Sequence, residues 1–202
     1  MNSVRKIAEA DFPTRWGAFR IYGFEGQVPA AQGQKESAVA LVMGDLTSTP
    51  PLVRIHSQCL TGDVFGSLRC DCRQQLELAL SMIAAEAAGV LIYEDQEGRG
   101  IGLMAKLQAY ELQDSGLDTV EANQRLGFKP DQRSFAFSAE ILKSLGLKRV
   151  RLLSNNPEKV AALEAAGIKV VERVPCEVEP HSHSQNYLKT KQQKLGHLFT
   201  AR

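Results

Sequence analysis

Apolar and polar positions change rhythm along this chain, and the changes predict its elements. Strand character marks Ala18–Phe24, Ala38–Gly44 and Leu52–His56. The small, polar stretch Gly26–Ser37 reads as the loop between the first two, and Pro50 and Pro51 punctuate before the third. From Gln74 the period lengthens: Leu76, Leu80, Ile83 and Ala87 fall at i, i+4, i+7 and i+11, one face of a helix, with Gly89 as its stop. Val90–Tyr93 is a short buried strand. A second helix is predicted over Ile101–Gln113, with Met104, Leu107 and Leu112 turned inward, and a third over Phe137–Leu145, closed by Gly146. Arg149–Ser154 is a strand. Asn156 then stands as an N-cap, Pro157 as the first helical residue and Gly167 just past the helix end. Ile168–Val171 follows as a strand and Tyr187–Leu195 as a final helix. Strands lead the first third, and helix and strand alternate afterwards. That order predicts an α/β to α+β fold: a single domain over residues 1–202 with a mixed β-sheet flanked by helices, and a flexible tail from about residue 177.

Composition narrows the function classes. The chain has 202 residues, 44% hydrophobic and 23% charged, enough for a real core. Lys and Arg number 24 against 23 acidic residues, a net charge of +1, which argues against a general nucleic-acid binder. An anion site must therefore be local. No apolar run approaches the roughly 20 residues that cross a bilayer. Met1–Phe12 alternates charge with small apolar residues and lacks the apolar centre of a signal peptide. The expectation is a cytoplasmic protein with no nucleic-acid or membrane partner.

Three of the four cysteines crowd into fourteen residues: Cys59, Cys70 and Cys72, spaced C-x10-C-x-C. In a reducing compartment that crowding points to metal. Structural zinc is usually closed by four protein ligands, whereas catalytic zinc commonly takes three and leaves a position for water. Two other readings stand beside the open site: three buried thiols in a core, and a closed zinc with His56 as fourth ligand. Cys176, in a Val-Pro-Cys-Glu context, reads as packing.

Two strand-to-helix turns carry anion-binding character. Glu97-Gly98-Arg99-Gly100-Ile101-Gly102 opens a helix with glycines that let backbone N–H groups approach an anion. Ser154-Asn155-Asn156-Pro157-Glu158-Lys159 is the second. Each is equally an ordinary connection. Together with Arg54 they favour a polyphosphate ligand. Glu97 and Gln75 are candidates for reading a guanine edge. Asp131 could take a proton and Arg133 could hold a phosphate, with a plain ion pair as the competing reading. Tyr110 is either a packed tyrosine or a phenol that orients water. His181 and His183 have metal spacing but read more simply as a polar loop.

RIHSQCLTGDVFGSLRCDC (Arg54–Cys72), QEGRGIGL (Gln96–Leu103), DTVEANQRLGF (Asp118–Phe128), DQR (Asp131–Arg133) and SNNPEK (Ser154–Lys159) resemble GTP cyclohydrolase II. The similarity runs from about Pro13 to Leu198. It implies hydrolysis of GTP to 2,5-diamino-6-ribosylamino-4(3H)-pyrimidinone 5′-phosphate, formate and pyrophosphate, the first step of riboflavin biosynthesis. It also implies one zinc per subunit, magnesium with the triphosphate and a homodimer. By position, Cys59, Cys70 and Cys72 match zinc ligands. Arg54, Ile55, His56, Ser57, Gln58, Gln75, Glu97, Gly98, Arg99, Thr119, Ser154 and Lys159 match GTP contacts. Asp131 matches a proton acceptor, Arg133 the proposed nucleophile towards the α-phosphorus, and Tyr110 a tyrosine associated with hydrolysis at C8; an always-protonated guanidinium suits charge stabilisation at that phosphate better. Gln58 stands where a glutamate is frequent, and Ser154 where a threonine is frequent. The length fits the stand-alone form, without a fused dihydroxybutanone phosphate synthase domain. A cyclohydrolase for another nucleotide and a zinc-stabilised nucleotide-binding regulator are the rival readings.

Overall fold

A computed structural model describes residues 3–27, 35–179, 181, 190–191, 193–194 and 196–199. The described strands form one seven-stranded mixed sheet, ordered β1-β2-β3-β5-β4-β6-β7. The strands are β1 (Ser3–Thr14), β2 (Gly17–Gln27), β3 (Lys35–Met43), β4 (Leu52–Ser57), β5 (Gly89–Glu94), β6 (Arg149–Leu153) and β7 (Lys169–Val174). β1, β2, β3 and β5 pair antiparallel. β5, β4, β6 and β7 pair parallel. The helices are α1 (Cys72–Glu86), α2 (Leu103–Asp114), α3 (Thr119–Arg125), α4 (Ala136–Ser144) and α5 (Pro157–Ala165). None of the described helices is long and apolar enough to cross a membrane.

The two-residue period of the central strands splits the core. Val53, Ile55, Val90 and Ile92 face Phe137, Ile141 and Leu142 of α4 and Leu163 of α5. Leu52 and Leu91 face Ala79, Leu80 and Ile83 of α1. All these residues are almost completely buried. β4 and β5 are covered on both faces, which is why β5 reads as a continuous apolar run over Val90–Ile92. β4 leads into α1 on one face, whereas its neighbour β6 leads into α5 on the other. Such a reversal opens a crevice at the carboxyl ends of parallel strands, where ligands of open α/β sheets bind.

Several expectations need correction. β1 was not predicted as a strand; it is an edge strand, exposed along most of its length and held by its ladder to β2. α3 was also missed. Asp118 accepts from the N–H groups of Val120 and Glu121 and Glu121 reaches back to Asp118, a reciprocal cap that starts a short helix. Gly89 does not stop α1. Ala87 takes the left-handed turn at φ 51°, and Gly89 opens β5, where a Cβ would meet Leu52 O at 2.6 Å. Met104 and Leu107 are not inward: they are 66% and 43% exposed, because α2 buries Lys106 and Ala109 instead. Strand extends further into the expected loop, to Gln27 and from Lys35. Asn156 accepts from Glu158 N–H as an N-cap, with Pro157 beginning α5. Of the expected last helix, Thr190, Lys191, Gln193 and Lys194 are helical. The remainder of that helix and His183 lie outside the described residues.

Candidate metal centre and anion pocket

Cys59 follows β4, at the entrance to a π-helical turn over Leu60–Val64, and Cys72 opens α1. The Sγ atoms of Cys59, Cys70 and Cys72 lie within 4.8 Å of one another, with Cys59 and Cys70 3.7 Å apart. Tetrahedral zinc, with Zn–S bonds of about 2.3 Å, holds its sulfurs roughly 3.8 Å apart. The sulfurs fit that ion. Gly62 makes the cradle possible, since a Cβ there would lie 2.8 Å from Cys70 Sγ. Proton competition points the same way. Hydrogen bonds from Cys70 and Cys72, then the field of Lys106, draw Cys59 far below the ordinary thiol range. Cys59 in turn pushes Cys70 up to about 11 and Cys72 well above its ordinary value. A divalent cation relieves this crowding by replacing the remaining protons.

A polar frame surrounds the sulfurs. Asp63 buries its side chain and accepts from Cys59 N–H at 3.0 Å, Tyr93 OH at 2.8 Å and His56 Nε2 at 3.1 Å. Glu97 accepts from Leu60 N–H at 2.7 Å through Oε2, and from Gly98 N–H and Lys106 Nζ at 2.9 and 2.7 Å through Oε1. Lys106 Nζ also lies 3.2 Å from Cys59 Sγ and 2.9 Å from Thr61 Oγ1. Thr61 Oγ1 is 3.2 Å from the Tyr110 hydroxyl. Burial would lower the Lys106 amine, but Glu97 and Cys59 hold it above its ordinary value. Gly98 and Arg99 both take left-handed backbone at φ 62° and 63°, which folds the glycine-rich turn back beneath this frame.

Beside the sulfurs lies a second pocket, at the crevice between β4 and β6. Ser57, Cys72, Arg99 and Arg133 line both. Arg54 donates to Leu153 O at 3.0 Å and to Gln75 Oε1 at 2.7 Å. Lys159, 5% exposed, donates to Ile55 O at 2.8 Å and sits 5.0 Å from the Phe135 ring centre. Burial, then Arg54 and Arg133, push its amine well below the ordinary range. Lys191 and His197 complete the lining. A chain of net charge +1 thus places five of its 24 Lys and Arg residues, Arg54, Arg99, Arg133, Lys159 and Lys191, around one pocket.

The family model for GTP cyclohydrolase II matches residues 5–175. The chain belongs to the GTP cyclohydrolase II family. It is 53% identical to GTP cyclohydrolase-2 of Escherichia coli O9:H4 over 197 residues, covering 97% of this chain and 98% of that one. It is 53% identical to GTP cyclohydrolase-2 of Buchnera aphidicola from Acyrthosiphon pisum, covering 98% and 100%. It is 52% identical to the riboflavin biosynthesis protein RibBA of Aquifex aeolicus, covering 97% of this chain and 48% of that one. The chain thus spans about half the length of several curated relatives it matches. Among solved structures, RibBX, a two-domain 3,4-dihydroxy-2-butanone 4-phosphate synthase from A. baumannii, shares the fold at TM-score 0.51 and 18% identity, over 88% of this chain and 41% of that one.

The GTP cyclohydrolase II motifs converge, though not all as expected. The cysteines, Ser57, Gln58, Glu97, Gly98, Arg99, Tyr110, Thr119 and Arg133 line the metal pocket. Arg54, His56, Gln75, Ser154 and Lys159 line its neighbour. Ile55 is fully buried and contributes its carbonyl to Lys159. His56 is not in the sulfur group; its Nε2 faces Asp63 and its ring stacks on Tyr93. Cys176 lies apart from the sulfurs, paired through its backbone with Asn155. Both Glu97 oxygens are engaged by the chain itself, so they hold the frame. Asp131 lines a third cavity, alongside Gln58, Glu94 and Arg133. It grips Arg133 at 2.5 and 3.0 Å, and those bonds hold its carboxyl below the usual range despite burial. Sequence reasoning missed Thr61, Asp63, Asp71, Lys106, Lys191 and His197. Only Asp71, set between two cysteines, carried a local signal.

Proposed function

We propose that this chain hydrolyses GTP to 2,5-diamino-6-ribosylamino-4(3H)-pyrimidinone 5′-phosphate, formate and pyrophosphate, the first step of riboflavin biosynthesis, in the cytoplasm. The observation that carries the reading is the shared wall: three converging sulfurs adjoin a pocket of buried cations through Ser57, Cys72, Arg99 and Arg133. A nucleoside triphosphate needs both, one for the ring and one for the phosphates.

Cys59, Cys70 and Cys72 would hold one zinc ion per subunit. Bound there, zinc supplies Lewis acidity and a water of lowered pKa. The residues of the chain do the rest. Arg54, Lys159 and Arg99 bind the triphosphate, which enters with magnesium. Its charge reverses the electrostatic pressure on Lys159, whose amine then keeps its proton. Gln75, fixed by Arg54 and Asp71, presents an amide to the nucleotide. Thr61 orients the Tyr110 phenol towards the sulfur side, where it steers a proton during attack at C8. Burial raises Tyr110 above its ordinary value, so it acts as a donor. Arg133 stabilises charge at the α-phosphorus as pyrophosphate leaves. Asp131 holds that guanidinium charged and aimed, which makes Arg133 a poor nucleophile.

A homodimer is supported by exposed apolar side chains near the sulfurs: Val64 at the end of the π-helical turn, Phe65 and Leu68 just after it, and Met104 on α2. Phe65→Asp is expected to shift sedimentation towards a monomer. The activity is tested by incubating purified, zinc-loaded protein with GTP and magnesium. Formate and pyrophosphate should be released together. A folded, zinc-loaded protein that releases neither overturns the reading.

A further inference from the structure

The buried amine of Lys106, on α2, is joined to two other segments: the turn after β4, through Cys59 and Thr61, and the glycine-rich turn, through Glu97. Its three N–H donors have three acceptors: Cys59 Sγ at 3.2 Å, Thr61 Oγ1 at 2.9 Å and Glu97 Oε1 at 2.7 Å. The side chain is 11% exposed. A lysine is seldom buried without a paired charge. Here one carboxylate offsets it, and the same carboxylate ties Leu60 N–H into the frame. The remaining donors go to the sulfur of Cys59 and to the hydroxyl that meets Tyr110. The ring of Tyr110 lies 5.6 Å from the ammonium.

We propose that Lys106 is a positioning residue of the metal centre, fixing the charge on the Cys59 sulfur and, through Thr61, the direction of the Tyr110 phenol. This rests on the reading that the three cysteines hold a metal ion. A hydrogen bond from an ammonium draws electron density off a thiolate, so the ion bound by Cys59 keeps more of its Lewis acidity. Outer-shell partners of metal ligands are worth about 10–100-fold in metal affinity or activity. The Thr61 branch aims one phenol towards the reacting side without touching substrate. Met104 and Leu107, the apolar neighbours on α2, stay outside while Lys106 goes in. Packing alone would favour the opposite arrangement.

Cobalt(II) provides a readout separate from activity. The unmodified protein should bind one cobalt per chain with an intense sulfur-to-cobalt band. In Lys106→Met that band should move to longer wavelength, because the sulfur has lost its donor. kcat should fall about 10–100-fold, with KM for GTP changed by less than a factor of about three. Tyr110→Phe should lower kcat without moving the band, since the phenol bonds to Thr61 and to no sulfur. If Lys106→Met does not fold, Lys106→Gln keeps a neutral donor and should shift the band less, in the same direction. An unmoved band in a folded variant, or a loss that falls on KM instead, overturns the assignment. An unmodified protein that shows no sulfur-to-cobalt band overturns the metal reading, and this assignment with it.

Discussion

The two adjoining pockets are built on opposite charge. On the metal side three sulfurs crowd together with one ammonium, Lys106, among them. On the other side Arg54, Lys159, Arg99, Arg133 and Lys191 crowd together, with Asp131 bonded to Arg133 and Asp71 to Lys191. Like charges packed in a poorly solvated space oppose folding. The first lining suits a divalent cation and the second a polyanion. The difference between them lies in the sign of the ligand that each could hold. A ligand that binds only the folded state, at either place, adds to its stability.

The sharpest break in the comparison is Cys59→Ser. Removing one ligand should abolish metal binding and lower formate release by more than about 100-fold, beyond the cost of an outer-shell partner. Metal analysis of the purified variant together with a formate assay checks both. Metal-free protein that still releases formate near the unmodified rate would remove zinc from the mechanism. The second pocket breaks differently. Lys159→Met should raise KM for GTP about 10–100-fold, the equivalent of one lost hydrogen bond to a charged group. kcat should change much less. Without nucleotide, the same variant should melt higher than the unmodified protein, because a buried amine with a depressed pKa costs stability. A gain in stability accompanied by a loss in affinity separates this pocket from an ordinary structural lysine.

Much of this arrangement is legible in local signals. The Asn156-Pro157 start and Gly167 end of α5 depend on neighbours in sequence, and the structure keeps them. The cysteine spacing is local too, and the sulfurs do converge. What escaped depends on partners far along the chain. β1 carries Arg5, Lys6, Glu9 and Asp11 and looks solvated; only its ladder to β2 makes it a strand. Lys106 looks like an outward lysine between Met104 and Leu107, and its acceptors lie up to 47 residues away. Glu97 reads as an open carboxylate until Leu60, Gly98 and Lys106 occupy it. Lys191 reaches Asp71 across 120 residues, a contact that no short motif announces.

Tyr110 stands where the two readings of one residue can be separated. Tyr110→Phe keeps the ring against Arg69 and Lys106 and removes only the hydroxyl facing Thr61. If the phenol acts at C8, formate release should slow by about tenfold or more, the lower end of acid–base contributions, with GTP affinity unchanged. Equal rates in the two proteins would return Tyr110 to packing.

The smallest effect concerns the cationic side alone. Burial first, then Lys191, Arg133, Lys159 and Arg99, lower His197 to about 3 from its ordinary 6.5. Its folded pKa is depressed, so the unfolded chain binds the extra proton between those values. Stability tied to His197 is therefore full above about pH 6.5 and is lost as pH falls towards 3. His197→Asn should flatten that part of the stability profile and leave the profile above neutrality unchanged. Pyrophosphate should act on the same group in the opposite sense. A polyanion among these cations offsets their field, so the imidazole should titrate at higher pH when it is bound. NMR titration of the His197 ring with and without pyrophosphate measures this directly. An upward shift would place the anion among the cations that surround His197, and an unshifted ring would move the phosphate site elsewhere in the crevice.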